Sequence, residues 1–132
     1  MDKDLNVLQH MIEYCDDIEN DSKRLGDNFE TFKIDRLYQK AITMSMLQIG
    51  ELTTHLSDEF KDNTVGEMDW RNIKGLRNLL AHRYGRMDVS LVWDIKEEDI
   101  PPLREFCKKH IELLKNAELD LTDLTLQDSN RS

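Results

Sequence analysis

The sequence has few cysteines and no long apolar run, and each shortage excludes a class of protein. Cys15 and Cys107 are the only cysteines, and because both lie beside apolar residues at helical spacing, we expect buried free thiols. The four histidines are far apart and show no His-x3-His spacing, so no structural metal is expected. No run approaches the roughly 20 apolar residues that span a bilayer. The charged N-terminus lacks the apolar core of a secretory signal, so we expect a cytoplasmic protein.

Strand patterns are also missing, and helical periodicity takes their place. Apolar residues recur every three or four positions, which predicts helices over residues 3–24, 30–60, 70–84, 88–96 and 100–117. Asp69 and Asp88 are good N-caps, Gly26 and Gly85 mark helix ends, and Pro101 fits a first turn. The sequence therefore predicts an all-α protein, an antiparallel four-helix bundle with a short additional helix.

The predicted second helix is the longest, and its apolar stripe defines one face. The stripe contains Ile34, Leu37, Tyr38, Ala41, Met44, Ile49, Leu52 and Leu56. Gly50 is its one weak point, since glycine costs about 1 kcal/mol in a helix interior. A chain of 132 residues is expected to form one domain. We place that domain at residues 1–119 and expect the polar tail, 120–132, to fray.

Charge is unevenly distributed along the chain. The net charge is −9 and the sequence pI is near 4.9, which argues against a protein that coats nucleic acid. Residues 70–87, however, contain five basic side chains and no acidic one: Arg71, Lys74, Arg77, Arg83 and Arg86. An acidic body with one basic segment indicates a local anion site.

The basic segment contains the pattern Arg77-x4-His82-x-Tyr84. On a helical wheel His82 lies opposite the expected core stripe, on the face of Asn78 and Gly75. The helix-breaking cost of Gly75 suggests that another helix packs closely there, and a second protomer related by a two-fold axis is one source of it. The alternative is that the helix simply tolerates this glycine. Arg77 lies about 140° away from His82, so either the helix bends near Ala81 or a second protomer completes the site.

These residue types suit RNA cleavage by the 2′-hydroxyl of the RNA itself. His82 can transfer a proton near neutral pH. Arg77 can hold two phosphate oxygens as charge develops in the transition state. Asn78 could orient the imidazole or the substrate, and Tyr84 could bind phosphate or stack on a base.

A longer run of residues strengthens this interpretation. The segment from Trp70 to Tyr84, then Asp88, residues 91–95, 99–101 and Leu103, with residues 49–51 before it, closely resembles the HepT-like branch of the HEPN superfamily. The resemblance implies a helical homodimer with a cleft at its interface and a metal-independent endoribonuclease that acts as a toxin. It implies Arg77 and His82 as catalytic residues and Asn78 as a supporting one.

The resemblance also implies partners. HepT-like toxins are paired with a minimal nucleotidyltransferase antitoxin, MntA, which transfers AMP to the motif tyrosine, here Tyr84. Added phosphate charge beside Arg77 would repel RNA. RNA is then the expected substrate, with contacts from Arg71, Lys74, Arg83 and Arg86. No cofactor and no membrane association are expected.

Two other functions stay open from the sequence. The chain could be a non-catalytic partner of a nucleotidyltransferase that binds nucleotide or protein, or a dimeric bundle whose polar strip only sets register. Solvent exposure alone would also explain Arg83 and Arg86. We interpret Trp70 and Trp93 as packing anchors, and Glu51 as an exposed or paired helical glutamate, with a position facing the cleft as the alternative.

Overall fold

The computed structural model describes residues 3–81 and 88–129, with the side chains of 78–81 and 124–129 left outside that description. The regular secondary structure of this part of the chain is all helical and includes no strand, which confirms the predicted all-α class. Its helices are α1 (Lys3–Leu25), α2 (Phe29–Ile34), α3 (Arg36–Thr53), α4 (Asp58–Asn63), α5 (Trp70–Ala81), α6 (Val89–Glu98) and α7 (Ile100–Ser129).

The predicted second helix is wrong as a single element, because the chain breaks twice within it. Asp35 has extended backbone (φ −107°, ψ 101°) and its carboxylate accepts from the Tyr38 amide, so it ends α2 and caps α3. Ser57 caps α4 in the same way, accepting from the Phe60 amide at 3.1 Å. The apolar periodicity of the sequence continues across both breaks and hides them. The capping residues Asp35 and Ser57 were the sequence signal that marked the breaks.

The other helix boundaries follow the predicted caps. Asp69 accepts from the Asn72 amide and Asp88 from the Leu91 amide, each at 3.1 Å. Gly26 has φ 122°, a left-handed conformation that favours glycine, directly after α1. Helix α7 begins as predicted with Pro101 in its first turn, but it continues beyond the expected end at residue 117 to Ser129. The predicted end of α5 at Tyr84 and Gly85 lies outside the described residues.

The core forms around α1, which packs against α3 and α7, while α3 packs in turn against α5. Fully buried side chains from three of these helices meet there, among them Leu8, Met11, Ile42, Met46 and Leu103. The carboxylate of Asp4 accepts from the Ser57 amide at 2.7 Å, which ties the start of α1 to the start of α4. Arg104 donates to Asp16 at 2.6 Å and ties α7 to α1.

Both cysteines are free and buried, as predicted. Burial raises the pKa of the Cys15 thiol to about 12, with a smaller contribution from Asp16. Burial likewise raises the pKa of the Cys107 thiol well above its ordinary value. Neither thiol therefore forms a thiolate near neutral pH, which makes both of them packing groups.

Three members of the predicted apolar stripe face outward. Tyr38, Ile49 and Leu56 are buried, whereas Ile34, Leu37 and Met44 are 82%, 74% and 57% exposed. Leu37 and Met44 lie on α3 itself, about 100–120° around the helix from Tyr38 and about 120–140° from Ile49. The predicted stripe therefore joined two different faces of α3, and Ile34 belongs to the separate helix α2.

No helix among the described residues is long and apolar enough to cross a membrane. Trp70 is buried, and Trp93 packs against Phe29 and Phe32 with ring centroids 6.0 and 5.3 Å away. Both tryptophans therefore anchor the core, as predicted. Met46 is also buried in the core.

Candidate functional site

The N-terminal end of α5 is fixed by an aromatic cluster. The Trp70 indole donates to the Thr64 hydroxyl at 2.8 Å. Its ring meets Phe106 edge-on, with centroids 5.3 Å apart, and Phe60 packs at 6.1 Å. Such pairs add about 0.5–1.5 kcal/mol to the area they bury. The helix that carries Arg77 is thus anchored to α4 and α7 at its start.

The loop before α5 is joined to α7 by Glu67. Its carboxylate accepts from Lys109 at 2.6 Å and lies 3.1 Å from the His110 Nε2. The hydrogen bond from Lys109 is the largest cause that holds the pKa of Glu67 below its usual value, and the hydrogen bond with His110 is the second largest. The His110 ring also packs on Phe106, with centroids 4.3 Å apart. This contact positions the loop from which α5 begins.

Helices α3 and α5 approach each other closely at Gly50. A Cβ added there would lie 3.2 Å from the Arg77 amide nitrogen and 3.5 Å from the Ile73 carbonyl oxygen. Gly50 therefore permits this close approach, because a Cβ at that position would require the α5 backbone to shift by a few tenths of an ångström. A Cβ added at Gly75 would have no neighbouring atom within 4 Å in the part of the chain that the structure describes. Within the described residues no helix approaches Gly75 closely, contrary to the prediction. That a helix of a second protomer packs against Gly75 stays a prediction.

The crossing places Arg77 beside Glu51. The Arg77 Nη1 lies 3.0 Å from the Glu51 Oε2, and the two side chains are 56% and 46% exposed. Glu51 is thus a paired helical glutamate, as interpreted from the sequence. An arginine that is more than half exposed can still bind a phosphate, while its carboxylate partner limits the positions of the guanidinium.

Two further basic side chains share α5 with Arg77. Arg71 and Lys74 are exposed, so the described part of the basic segment forms a solvent-facing cationic surface. Asn78 lies in α5, but its side chain is among those not described. His82, Arg83, Tyr84 and Arg86 lie outside the described residues. The meeting of Arg77 with His82, and the bend near Ala81, therefore stay predictions.

The chemistry of the described residues is that of an anion site. Within residues 3–81 and 88–129 there is no group of three or more histidine, cysteine, aspartate or glutamate side chains that could hold a metal ion. At the crossing the Arg77 guanidinium pairs with the Glu51 carboxylate, and Arg71 and Lys74 are exposed on the same helix. A surface of this kind suits phosphodiester groups.

The sequence proposed Arg77 as a site residue, which stays a prediction, but it did not show that Gly50 packs against the backbone of Arg77. Nothing in the spacing of Gly50 and Arg77 connects them, because they are on different helices. The one available signal was the pair Gly50-Glu51 itself, a glycine followed by an acid near the end of a long apolar helix. A glycine retained inside such a helix usually marks a close backbone approach.

Comparison with known proteins identifies the family of this chain. The family model described as "Ribonuclease HepT-like" matches residues 11–110. A protein of Methanocaldococcus jannaschii named as a putative RNase is 26% identical over 107 residues, covering 81% of this chain and 92% of its own. One of Caldanaerobacter subterraneus with the same description is 28% identical, over 77% and 88% of the two chains. No solved structure matches the chain.

A relative with a more specific name is found in Thermococcus cleftensis. That protein, named a probable ribonuclease HepT, is 34% identical over 76 residues, covering 58% of this chain and 68% of its own. The fold and the exposed arginine of α5 define the class, an all-helical bundle with a cationic helix at its surface. The chain belongs to the HepT-like ribonuclease family.

Proposed function

We propose that this protein is a metal-independent endoribonuclease. The 2′-hydroxyl of the RNA attacks the adjacent phosphate, forming a bond to phosphorus while the bond to the 5′-oxygen of the next nucleotide breaks. His82 serves the proton transfers, Arg77 stabilises charge on the phosphorane and Asn78 supports them. The products are a 2′,3′-cyclic phosphate and a 5′-hydroxyl, so no water and no metal enter this step.

The observation that carries the proposal is the position of Arg77. The guanidinium is more than half exposed, lies on the same helix as Arg71 and Lys74, and is held at 3.0 Å by Glu51 of α3. An arginine with a purely structural role ordinarily pairs with buried groups. Arg77 instead presents its charge to solvent from an anchored helix. Arg71, Lys74, Arg83 and Arg86 then contact the RNA backbone.

The finer parts of the proposal concern regulation and assembly. We place the protein in a toxin–antitoxin pair of the HepT/MntA kind, acting in the cytoplasm on tRNA or mRNA. The partner is a minimal nucleotidyltransferase that transfers AMP to Tyr84, and the toxin is a homodimer with its cleft at the interface. These parts are supported by the family and by the motif Arg77-x4-His82-x-Tyr84.

The central experiment measures RNA cleavage by the purified protein in excess EDTA. We expect cleavage with 2′,3′-cyclic phosphate ends, and at least a hundredfold loss in Arg77→Ala or His82→Ala, as for other transition-state contacts. Arg24→Ala, a change of an exposed arginine on α1, is the matched control and should keep wild-type activity. Cleavage by Arg77→Ala at the wild-type rate would refute the assignment.

The proposed modification is tested by intact mass. Expressed together with the proposed nucleotidyltransferase partner, the chain should gain mass in steps of one adenylate and lose RNase activity. Tyr84→Phe should gain none. An unchanged mass in the wild-type chain would rule out AMP transfer as the means of neutralisation.

One observation favours a second function. The net charge of −9 opposes broad RNA affinity, and it suits a non-catalytic partner of a nucleotidyltransferase, with the basic helix binding nucleotide or protein. The same EDTA assay separates the two functions, since a binding partner would leave every RNA intact.

A further inference from the structure

Gly75 is a glycine inside a helix that the rest of the fold does not explain. Among the described residues only Gly26 has a positive φ, so Gly75 has ordinary helical backbone, which alanine adopts more readily. A Cβ added to it would have no described neighbour within 4 Å. At Gly50 the backbone of α5 lies close enough to account for the missing side chain. At Gly75 no contact with the described part of the chain does so.

Gly75 lies on the cationic face of α5. Arg71 is one turn before it and about 40° away around the helix, while Asn72 flanks it on the other side, about 60° away. Residues at these spacings have Cβ atoms roughly 5–6 Å apart. Lys74 lies beside Arg71 on the same surface, and all three side chains are exposed. The missing side chain therefore leaves a pit among them whose floor is the α5 backbone.

The cations beside the pit are available to a ligand. Among the described side chains, neither Arg71 nor Lys74 forms a salt bridge, whereas Arg77 on the same helix pairs with Glu51. Residues 70–87 contain no acidic side chain, so the segment itself does not offset their charge. The oxygens of a phosphate group accept from guanidinium and amide donors of this kind. The pit thus suits a phosphate.

A helix of a second copy of the chain could also approach a glycine this closely, but charge favours the phosphate. A two-fold contact between two α5 helices at Gly75 would place the same residues of both chains against each other. Arg71 and Lys74 of one chain would then meet those of the other, and like charges in such a contact are unfavourable. An RNA phosphate instead neutralises these cations and releases their counterions.

We propose that Gly75 is the floor of a phosphate subsite for RNA. A phosphodiester other than the cleaved one rests on the α5 backbone there and accepts from Arg71 and Asn72, while Lys74 adds charge. The inference rests on the proposed RNase function and adds a residue that positions the RNA strand. His82 is predicted two turns further along nearly the same line of the helix, about 10.5 Å away. A strand held at Gly75 is therefore in line with the predicted proton-transfer group.

The first test measures RNA binding separately from cleavage. The probe is a labelled single-stranded oligoribonucleotide with 2′-O-methyl groups, which lacks the attacking hydroxyl and so stays intact. Gly75→Ala and Gly75→Leu fill the pit with side chains that favour a helix, so neither variant should be less stable than the wild type in urea. We expect the affinity of Gly75→Leu to fall at least about tenfold, because a charge-assisted contact is lost, and that of Gly75→Ala to lie between. Ala117→Leu, at an exposed position of α7, is the matched control and should bind as the wild type does.

The second test counts phosphate contacts from the salt dependence of binding. The slope of log affinity against log salt changes by about 0.7 per phosphate contact with a single strand. Gly75→Leu and Arg71→Ala should each reduce the slope by about that amount. The double variant should lose no more affinity than either single one, because both changes remove the same contact. Arg24→Ala, a change of an exposed arginine on α1, should keep the wild-type slope.

Three results would overturn the subsite. The first is wild-type affinity in Gly75→Leu, and the second is an additive loss in the double variant. The third is a Gly75→Leu chain that dimerises more weakly in sedimentation equilibrium and regains RNA affinity at high protein concentration, since a second copy would then fill the pit. The proposed function fails separately, because a wild-type chain that binds the probe but leaves RNA intact in EDTA would refute the RNase and keep the subsite.

Discussion

At the scale of single residues, the contact between Glu51 and Arg77 sets the electrostatics of the candidate site. Both side chains are about half exposed, and an ion pair in that setting contributes at most about 1 kcal/mol to stability. A carboxylate 3.0 Å from a guanidinium nevertheless restricts where that cation can sit. We therefore interpret Glu51 as a positioning residue.

Replacement of Glu51 separates its effect on stability from its effect on the position of the Arg77 guanidinium. Glu51→Gln should leave the urea midpoint almost unchanged and lower the kcat for RNA cleavage about tenfold, because a displaced phosphate-binding group loses its alignment. Glu59→Gln, a change of an exposed glutamate on α4, is the control. If Glu51→Gln cleaved RNA as fast as the wild type, the ion pair would have no part in catalysis.

The two thiols give a prediction about pH. Burial raises the pKa of Cys15 from 9.0 to about 12 and raises that of Cys107 as well. A raised folded-state pKa stabilises the protonated fold, so this stability is fully present below pH 9 and is lost as pH rises above it. Urea unfolding from pH 8 to 11 should show a steep loss, and Cys15→Ala should make the pH slope shallower. Equal slopes for the two proteins would contradict the burial argument.

At the scale of helices, the sequence predicted individual elements better than their contacts. The caps at Asp69 and Asp88 were predicted because capping is a local property of residue type. The breaks at Asp35 and Ser57 were missed because apolar periodicity continued through them. The pairing of Glu51 with Arg77 joins two residues that lie 26 positions apart on different helices, and a helical wheel treats only one helix at a time. Such contacts require the packed bundle.

The two glycines test that packing directly. Gly50→Ala adds a Cβ only 3.2 Å from the Arg77 backbone nitrogen, whereas Gly75→Ala adds one in open space. Alanine in a helix gains about 1 kcal/mol over glycine, so Gly75→Ala should stabilise the protein by about that amount. Gly50→Ala must displace α5, which costs about 1–3 kcal/mol. Urea unfolding should therefore find Gly50→Ala clearly the less stable variant.

Two other outcomes for these glycine variants would contradict the expected order of stability. Equal stability of the two variants would show that α5 moves away from α3 without cost. A loss of stability in Gly75→Ala that disappears on dilution to monomer would place a second protomer against Gly75, as the sequence suggested.

At the scale of the whole molecule, the boundary between the acidic body and the basic helix differs from the boundary at which the buried core ends. The net charge of −9 is spread over the body, while α5 presents Arg71, Lys74 and Arg77 to solvent. RNA therefore meets attraction at one helix and repulsion elsewhere, which favours binding at a single place over coating. Packing has its own boundary, since the buried core ends at Cys107 and only partly buried Ile111 and Leu114 follow it on α7.

The last turns of α7 lie past that core, and this determines what a shorter chain should do. Leu119 and Leu121 are 62% and 65% exposed, and Thr122 and Asp123 are exposed as well. A chain ending at Leu119 should therefore unfold within about 1 kcal/mol of the full chain, since little apolar surface is removed from the fold. A chain ending at Lys109 also loses Ile111 and Leu114, each worth about 2 kcal/mol or more. If both truncations were equally destabilised, residues 120–132 would belong to the folded domain, and the boundary at 119 would be wrong.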